Sequence, residues 1–173
     1  MKKPILVSMF GLPFSGKTTL AQKVADRLDA KLLAYDWTWA RVKPPEQVPE
    51  LDNVEEWNEV LDIVYQDIED ELAKGKSVVF DHINHTVEDR DNLRRVAREA
   101  GVRSAIIYLD IPLEVTQKRR ADNLITKQRH DVSSVNLEKV YKVWENPASD
   151  EEIVVFKPDT DIDELIKKLE ELD

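Results

Sequence analysis

The stretch GLPFSGKT, residues 11–18, constrains this chain more than any other. It fits the spacing G-x-x-x-x-G-K-[ST], and the demand behind that spacing is steric. A loop that wraps its backbone N–H groups around phosphate oxygens cannot carry a Cβ where those oxygens approach, and Gly11 and Gly16 remove the obstruction. Lys17 then reaches the outer phosphates, and the Thr18 hydroxyl can ligate a magnesium ion. The whole chain has only four glycines, and two of them fall in this loop. The residues Gly11, Leu12, Pro13, Phe14, Ser15, Gly16, Lys17, Thr18 and Thr19 are therefore expected to hold a nucleotide. The flanks agree: ILVSMF (5–10) reads as a buried strand. TTLAQKVADRLD reads as a helix whose positive N-terminal end faces the anion. The G-x-G-x-x-G fingerprint of dinucleotide binding is absent, so Asp36, about twenty residues past the loop, needs an explanation other than a ribose contact.

The rest of the chain alternates short apolar runs with segments of helical period. KLLAY (31–35), SVVF (77–80), SAIIYL (104–109) and EIVVF (152–156) read as further buried strands. Between them, Trp57, Leu61, Val64, Ile68 and Leu72 recur at three- and four-residue steps. So do Leu93, Val96, Ala97 and Ala100, and then Ile162, Leu165, Ile166 and Leu169. These are one-sided helices packed on a sheet. Gly75 and Gly101 each follow a helical segment and precede a strand, where a left-handed residue closes the helix. The pattern predicts one α/β domain over residues 1–173, with a mostly parallel sheet covered on both faces. The proline-rich stretch 41–53 is expected to be a surface loop near the site.

Ligands of open parallel sheets bind at the carboxyl ends of the strands. Asp81 closes SVVF and is expected to hold magnesium with Thr18. Asp36 closes KLLAY and suits a carboxylate that takes the proton of an attacking hydroxyl, unless it caps the next helix. Asp110, ahead of Pro112, suits a helix cap. In YDWTWAR, Trp37 and Trp39 either line an acceptor pocket or divide between core and surface, and Arg41 either pairs with an acceptor phosphate or remains solvated. The histidines His82, His85 and His130 lack the spacing of a metal site. The segment 118–132 concentrates basic residues. It is expected to be a helical lid in which Arg119, Arg120 or Arg129 meets the migrating phosphoryl group.

Composition narrows the partners. A formal net charge of −10 argues against a broad surface for long duplex nucleic acid. The chain has no cysteine and no apolar run long enough for a bilayer, and MKKPILVSMFG lacks a cleavage site for a leader. The expectation is a cytoplasmic protein with no membrane partner.

Together, GLPFSGKTTLA, the Asp36 segment, SVVFDHINHTVEDRDNLRRVAREAG, YLDIPLEVTQKRR and HDVSSVNLEKVYKVWENP resemble the small P-loop kinase family over nearly the whole chain. That group includes 5′-hydroxyl polynucleotide kinase domains and zeta-toxin-like kinases. The D-x-x-N…R-x-x-L pattern from Asp81 to Leu93, and WENP, are most similar to the polynucleotide-kinase-like branch. The resemblance implies a P-loop NTPase three-layer sandwich with a five-stranded parallel sheet in the order 2-3-1-4-5. It also implies ATP and magnesium at Gly11–Thr19, Asp36 as the acceptor-side acid, Asn84 and Arg90 on the substrate side, and a lid at 118–130. Two positions depart from the family pattern. Phe14 stands where these kinases often have glycine, which is expected to change the loop's shape, and Trp39 stands where an arginine is usual. The implied activity is transfer of the γ-phosphoryl group of ATP to a hydroxyl of a small molecule. A 5′-hydroxyl polynucleotide end is the alternative acceptor. A slow nucleotide-binding switch is a reading of another class, and it would need no base at Asp36.

Overall fold

In the computed structural model, which describes residues 3–50, 52–128 and 132–172, alternation of strand and helix runs the length of the chain. The order is β1 (Ile5–Phe10), α1 (Lys17–Leu28), β2 (Lys31–Ala34), α2 (Tyr35–Val42), α3 (Val54–Ala73) and β3 (Val78–Asp81). It continues with α4 (Val87–Glu99), β4 (Arg103–Leu109), α5 (Leu113–Thr126), α6 (Ser134–Val143), β5 (Ile153–Phe156) and α7 (Ile162–Glu171). The strands form one parallel sheet in the order β2-β3-β1-β4-β5. This is the three-layer arrangement expected from the sequence. Both faces are covered, which is why β1 reads as a nearly continuous apolar run and all six of its residues are buried.

Two cores form, one per face. Val24, Ile107, Leu165 and Leu169 pack on one side, and Val64, Ile68, Phe80 and Leu93 on the other. The periodic residues Leu61, Val64, Ile68 and Leu72 all face inward from α3, as do Leu165, Ile166 and Leu169 from α7. Gly75 and Gly101 follow α3 and α4 with positive φ.

Three sequence expectations are corrected here. KLLAY does not stay extended through Tyr35: the strand stops at Ala34, and YDWTWARV is helix α2, so Asp36 sits on a first helical turn. The proline-rich loop accordingly starts after Val42. Asp110 does not cap α5, whose N-cap is Pro112.

Arg90 and Asn84, expected near a substrate, are instead internal struts. Arg90 is fully buried. Its Nε and Nη2 donate to the two Glu151 carboxylate oxygens at 2.8 Å each. Nη1 donates to the Asn84 and Glu145 carbonyls and Nη2 also to that of Asn146, while the guanidinium lies 4.2 Å from the centre of the Phe10 ring. With its donors thus engaged, Arg90 ties the loop after β3 to the segment ahead of β5. Asn84, also fully buried, donates to Ser8 Oγ at 2.7 Å and to the Met9 carbonyl at 2.6 Å, which locks the same loop onto β1.

The ion pair has a pH signature. Hydrogen bonding to Arg90, with help from the Ala148 N–H and Arg94, holds the Glu151 carboxyl down at about 2. Because the folded value is depressed, the stabilisation is complete above the ordinary carboxylate range and is lost as pH falls toward 2. It is worth on the order of 3 kcal/mol. Urea midpoints measured across the acid range should fall steeply for the wild type. Glu151→Gln should be less stable by about 3–5 kcal/mol near neutrality, because Arg90 loses its buried partner. Its acid limb should be flatter.

Candidate active site

The loop between β1 and α1 forms the centre of the site. Gly16 is the N-cap of α1 with a φ of 102°, a backbone that favours glycine. At Gly11 a second steric reason joins the one read from the sequence. A Cβ there would lie 3.0 Å from Ser15 Oγ and 3.1 Å from Leu109 Cβ, so a side chain would crowd the loop's own packing on itself and on β4. Phe14 takes an uncommon backbone. It adopts a φ of 63°, in the region that favours glycine, at a cost of about 1–2 kcal/mol for a residue with a Cβ.

Lys17 Nζ donates to the carbonyls of Gly11 at 2.9 Å and Leu12 at 2.8 Å, which folds the ammonium over the loop. Burial lowers its pKa to about 8, against the opposing pull of the Asp81 and Asp36 carboxylates. Asp81 is buried at the carboxyl end of β3, while Asp36 is exposed on α2. The sheet register explains the approach, since Ala34, immediately before α2, pairs with Asp81.

The donor set suits a magnesium ion that arrives with nucleotide phosphates. Thr18, exposed at the start of α1, and Asp81 supply hard oxygen ligands, and among the described residues no three acidic or histidine side chains gather to hold a metal alone. The buried Ser15 hydroxyl has no hydrogen-bond partner among the described residues, as befits a cradle shaped for an anion.

The lid arginines separate. Arg119 Nη1 donates to the Ser15 carbonyl at 2.8 Å and the Phe14 carbonyl at 3.3 Å, so this residue touches the loop directly. Arg120 Nε donates to the Val132 carbonyl at 3.1 Å and Nη2 to Ser134 Oγ at 3.3 Å, bracing the joint between α5 and α6. Arg129 lies outside the described residues. A cavity of about 540 Å³ opens between the loop, α5 and the end of β5, lined by Phe14, Ser15, Thr19, Arg119, Asn123 and Pro158 among others.

On the acceptor side the structure divides the expected residues. Trp39 is buried among the α2–α3 core residues, and its indole N–H donates to the Gln47 carbonyl at 2.9 Å; it belongs to the core rather than to an open pocket. Trp37 is 54% exposed. Arg41 pairs with Asp67 of α3 at 2.6 Å.

His82, set aside in the sequence because its spacing suits no metal, is a residue that the motif search missed. Its ring lies 5.0 Å from Tyr35, 5.5 Å from Trp57 and 5.3 Å from Phe80. Asn84 holds the ring from one side: its Oδ1 lies 3.1 Å from His82 Nδ1, and its backbone N–H lies 3.4 Å from the same nitrogen. Nε2 is buried and has no partner among the described residues. Burial lowers the imidazole to about 4, so it is neutral. The only sequence signal was its place directly after Asp81.

Residues 6–147 match the AAA_33 family, described as an AAA domain. The chain belongs to this family. No curated protein matches it by sequence. Among solved structures, the AAA_33 chain is similar to a sugar kinase from a Janibacter species, with 22% identity over 96% of this chain and 92% of that one and a TM-score of 0.68. It is similar to the Mycobacterium tuberculosis APS kinase in complex with AMPPNP and APS, with 20% identity, 98% and 96% coverage and a TM-score of 0.67. It is also similar to Chaetomium thermophilum Kti12 in complex with ADP-AlF3, with 19% identity, 95% and 96% coverage and a TM-score of 0.72. These likenesses show that the AAA_33 chain has the fold of the P-loop kinases.

Proposed function

We propose that this chain is a kinase that uses ATP and magnesium to phosphorylate a hydroxyl of a small molecule. The observation that carries the reading is the placement of two acids at the carboxyl ends of neighbouring strands beside the loop of Lys17: Asp81 ends β3, and Asp36 lies two residues past Ala34, which pairs with Asp81. A phosphate-binding switch needs the lysine and the metal-side acid, whereas a second carboxylate on the neighbouring strand end suits a transfer reaction. Lys17, the loop amides and the Arg119 guanidinium bind and position the phosphates. Thr18 and Asp81 would hold magnesium, which when bound neutralises charge on the phosphate oxygens. Asp36 accepts the proton of the acceptor hydroxyl as its oxygen forms a bond to the γ-phosphorus, and the bond from that phosphorus to the bridging oxygen breaks to leave ADP.

Three features favour a small acceptor. The net charge is −10. The α3 end of this side carries Glu55, Glu56, Glu59 and Asp62, which repel a polyanion. Helix α6, which follows the expected lid segment, is tied to the proline-rich loop, with Asn136 Nδ2 donating to the Pro49 carbonyl at 3.3 Å and Lys139 pairing with Asp52 at 2.7 Å, which narrows the approach. The buried Nε2 of His82 would form a hydrogen bond with a polar group of the acceptor. His82→Leu should leave ATP affinity unchanged and raise the acceptor KM about tenfold, a loss of one hydrogen bond.

ATP consumption against a panel of sugars, nucleosides, aminoglycosides and 5′-hydroxyl oligonucleotides tests the reading. Stimulation by a small hydroxyl compound is expected. Stimulation by the oligonucleotides alone would move the acceptor to a nucleic-acid end.

A further inference from the structure

We propose that Phe14 recognises the nucleoside, with its ring serving as a stacking wall for the base in the cavity beside the loop. The inference rests on the reading of that cavity as the nucleotide site. It starts from a conflict between backbone and side chain. Phe14 holds a left-handed φ of 63° without the local hydrogen bonding that lets asparagine or aspartate tolerate that region, and with none of the freedom of glycine. A strained residue persists only where its surroundings over-determine it, and such residues cluster at ligand sites.

Core packing does not account for this ring. Among the described residues Phe14 belongs to neither hydrophobic core. It makes no ring–ring contact like those that join Phe10 to Tyr108 and Trp144. It is only half-buried, and what it lines is the cavity shared with Arg119, Asn123 and Pro158. Its backbone is held from above, because Arg119 Nη1 donates to the Phe14 carbonyl at 3.3 Å and to the Ser15 carbonyl at 2.8 Å. The same arginine therefore fixes the strained turn and borders the cavity. The cavity volume, about 540 Å³, falls in the range of small-molecule sites. An aromatic ring on such a wall offers its face to a purine or pyrimidine, and stacking of this kind tolerates different bases.

The proposal separates recognition of the nucleoside from recognition of the phosphates. Calorimetric titration of ATP and of inorganic tripolyphosphate into the wild type, Phe14→Gly and Phe14→Asn distinguishes the two. Glycine and asparagine both accept positive φ, so each removes the ring and keeps the loop. ATP affinity should fall about tenfold in both variants, the loss of one stacked base. Tripolyphosphate affinity should stay within about twofold, and the Tm of the free protein should stay within about 3 °C, because relief of strain offsets the lost contacts. Unchanged ATP affinity in both variants overturns the proposal. An equal loss for ATP and tripolyphosphate also overturns it, since the ring would then act on the loop's shape. A wild type that binds tripolyphosphate as tightly as ATP removes the nucleoside contact altogether. A wild type that binds neither overturns the nucleotide-site reading along with it.

Discussion

Replacing Lys17 with alanine should reduce phosphoryl transfer by at least about a thousandfold, with a fold that remains intact. In the proposed reading Nζ is the positive group that meets the outer phosphates, and it is held by the Gly11 and Leu12 carbonyls at 2.9 and 2.8 Å. In the variant those carbonyls turn to water at the rim of the site, so stability should change little. Burial of the ammonium is itself unfavourable, as its pKa of about 8 shows. The protein accepts that cost where the charge is needed, and removing the group relieves it. Circular dichroism melts together with ADP formation under acceptor-saturated conditions check both halves. A variant that melts at the wild-type temperature and has lost turnover is the expected result. Full turnover in a well-folded variant removes Lys17 from the mechanism.

The second large effect belongs to Asp36. Asp36→Asn keeps the side-chain shape and loses the proton acceptor, so transfer should fall by about a hundred- to ten-thousandfold. ATP affinity should stay close to that of the wild type, because phosphate binding lies with Lys17 and the loop. The loss should appear in kcat, with a smaller effect on the acceptor KM, since the carboxylate acts as the hydroxyl oxygen begins to attack. A fall in ATP affinity with unchanged kcat would reassign Asp36 to nucleotide binding.

How far the sequence revealed this site depended on whether each property was local. The loop, β1 and α1 were legible because the motif fixes a steric requirement between neighbouring residues. The sheet order followed from resemblance, and the structure agrees with it. Helix α2 was hidden because its eight residues are rich in aromatics and follow an apolar strand without a break, so KLLAY read as one run. Once YDWTWARV is helical, the two tryptophans must part. Residues two apart on a helix face different ways, and Trp39 goes to the core while Trp37 stays exposed. Arg90 carried a signal that was not used: it lies three residues before Leu93 and seven before Ala97, on the same buried stripe of α4. Its partner Glu151 was out of reach of local reasoning, being 61 positions away. Arg119 and Arg120 were equivalent in sequence. Adjacent residues on a helix point in different directions, and only Arg119 meets the loop.

The role of Phe14 was invisible for a related reason. A sequence shows that glycine is missing from a loop position but not whether the backbone changes to suit the new side chain. Here the backbone at Phe14 is left-handed, with a φ of 63°.

The central claim is that the loop binds ATP in order to pass its γ-phosphoryl group to a hydroxyl. The most direct measurement is phosphorus NMR of reactions containing the wild-type protein, ATP, magnesium and the pooled hydroxyl acceptors. The account predicts ADP together with a new phosphate monoester resonance that needs the acceptor, and neither should form with Asp36→Asn. Tight ATP binding with no ester, and with ADP and inorganic phosphate forming at the same slow rate with or without acceptors, would contradict it and leave a nucleotide-dependent switch in its place.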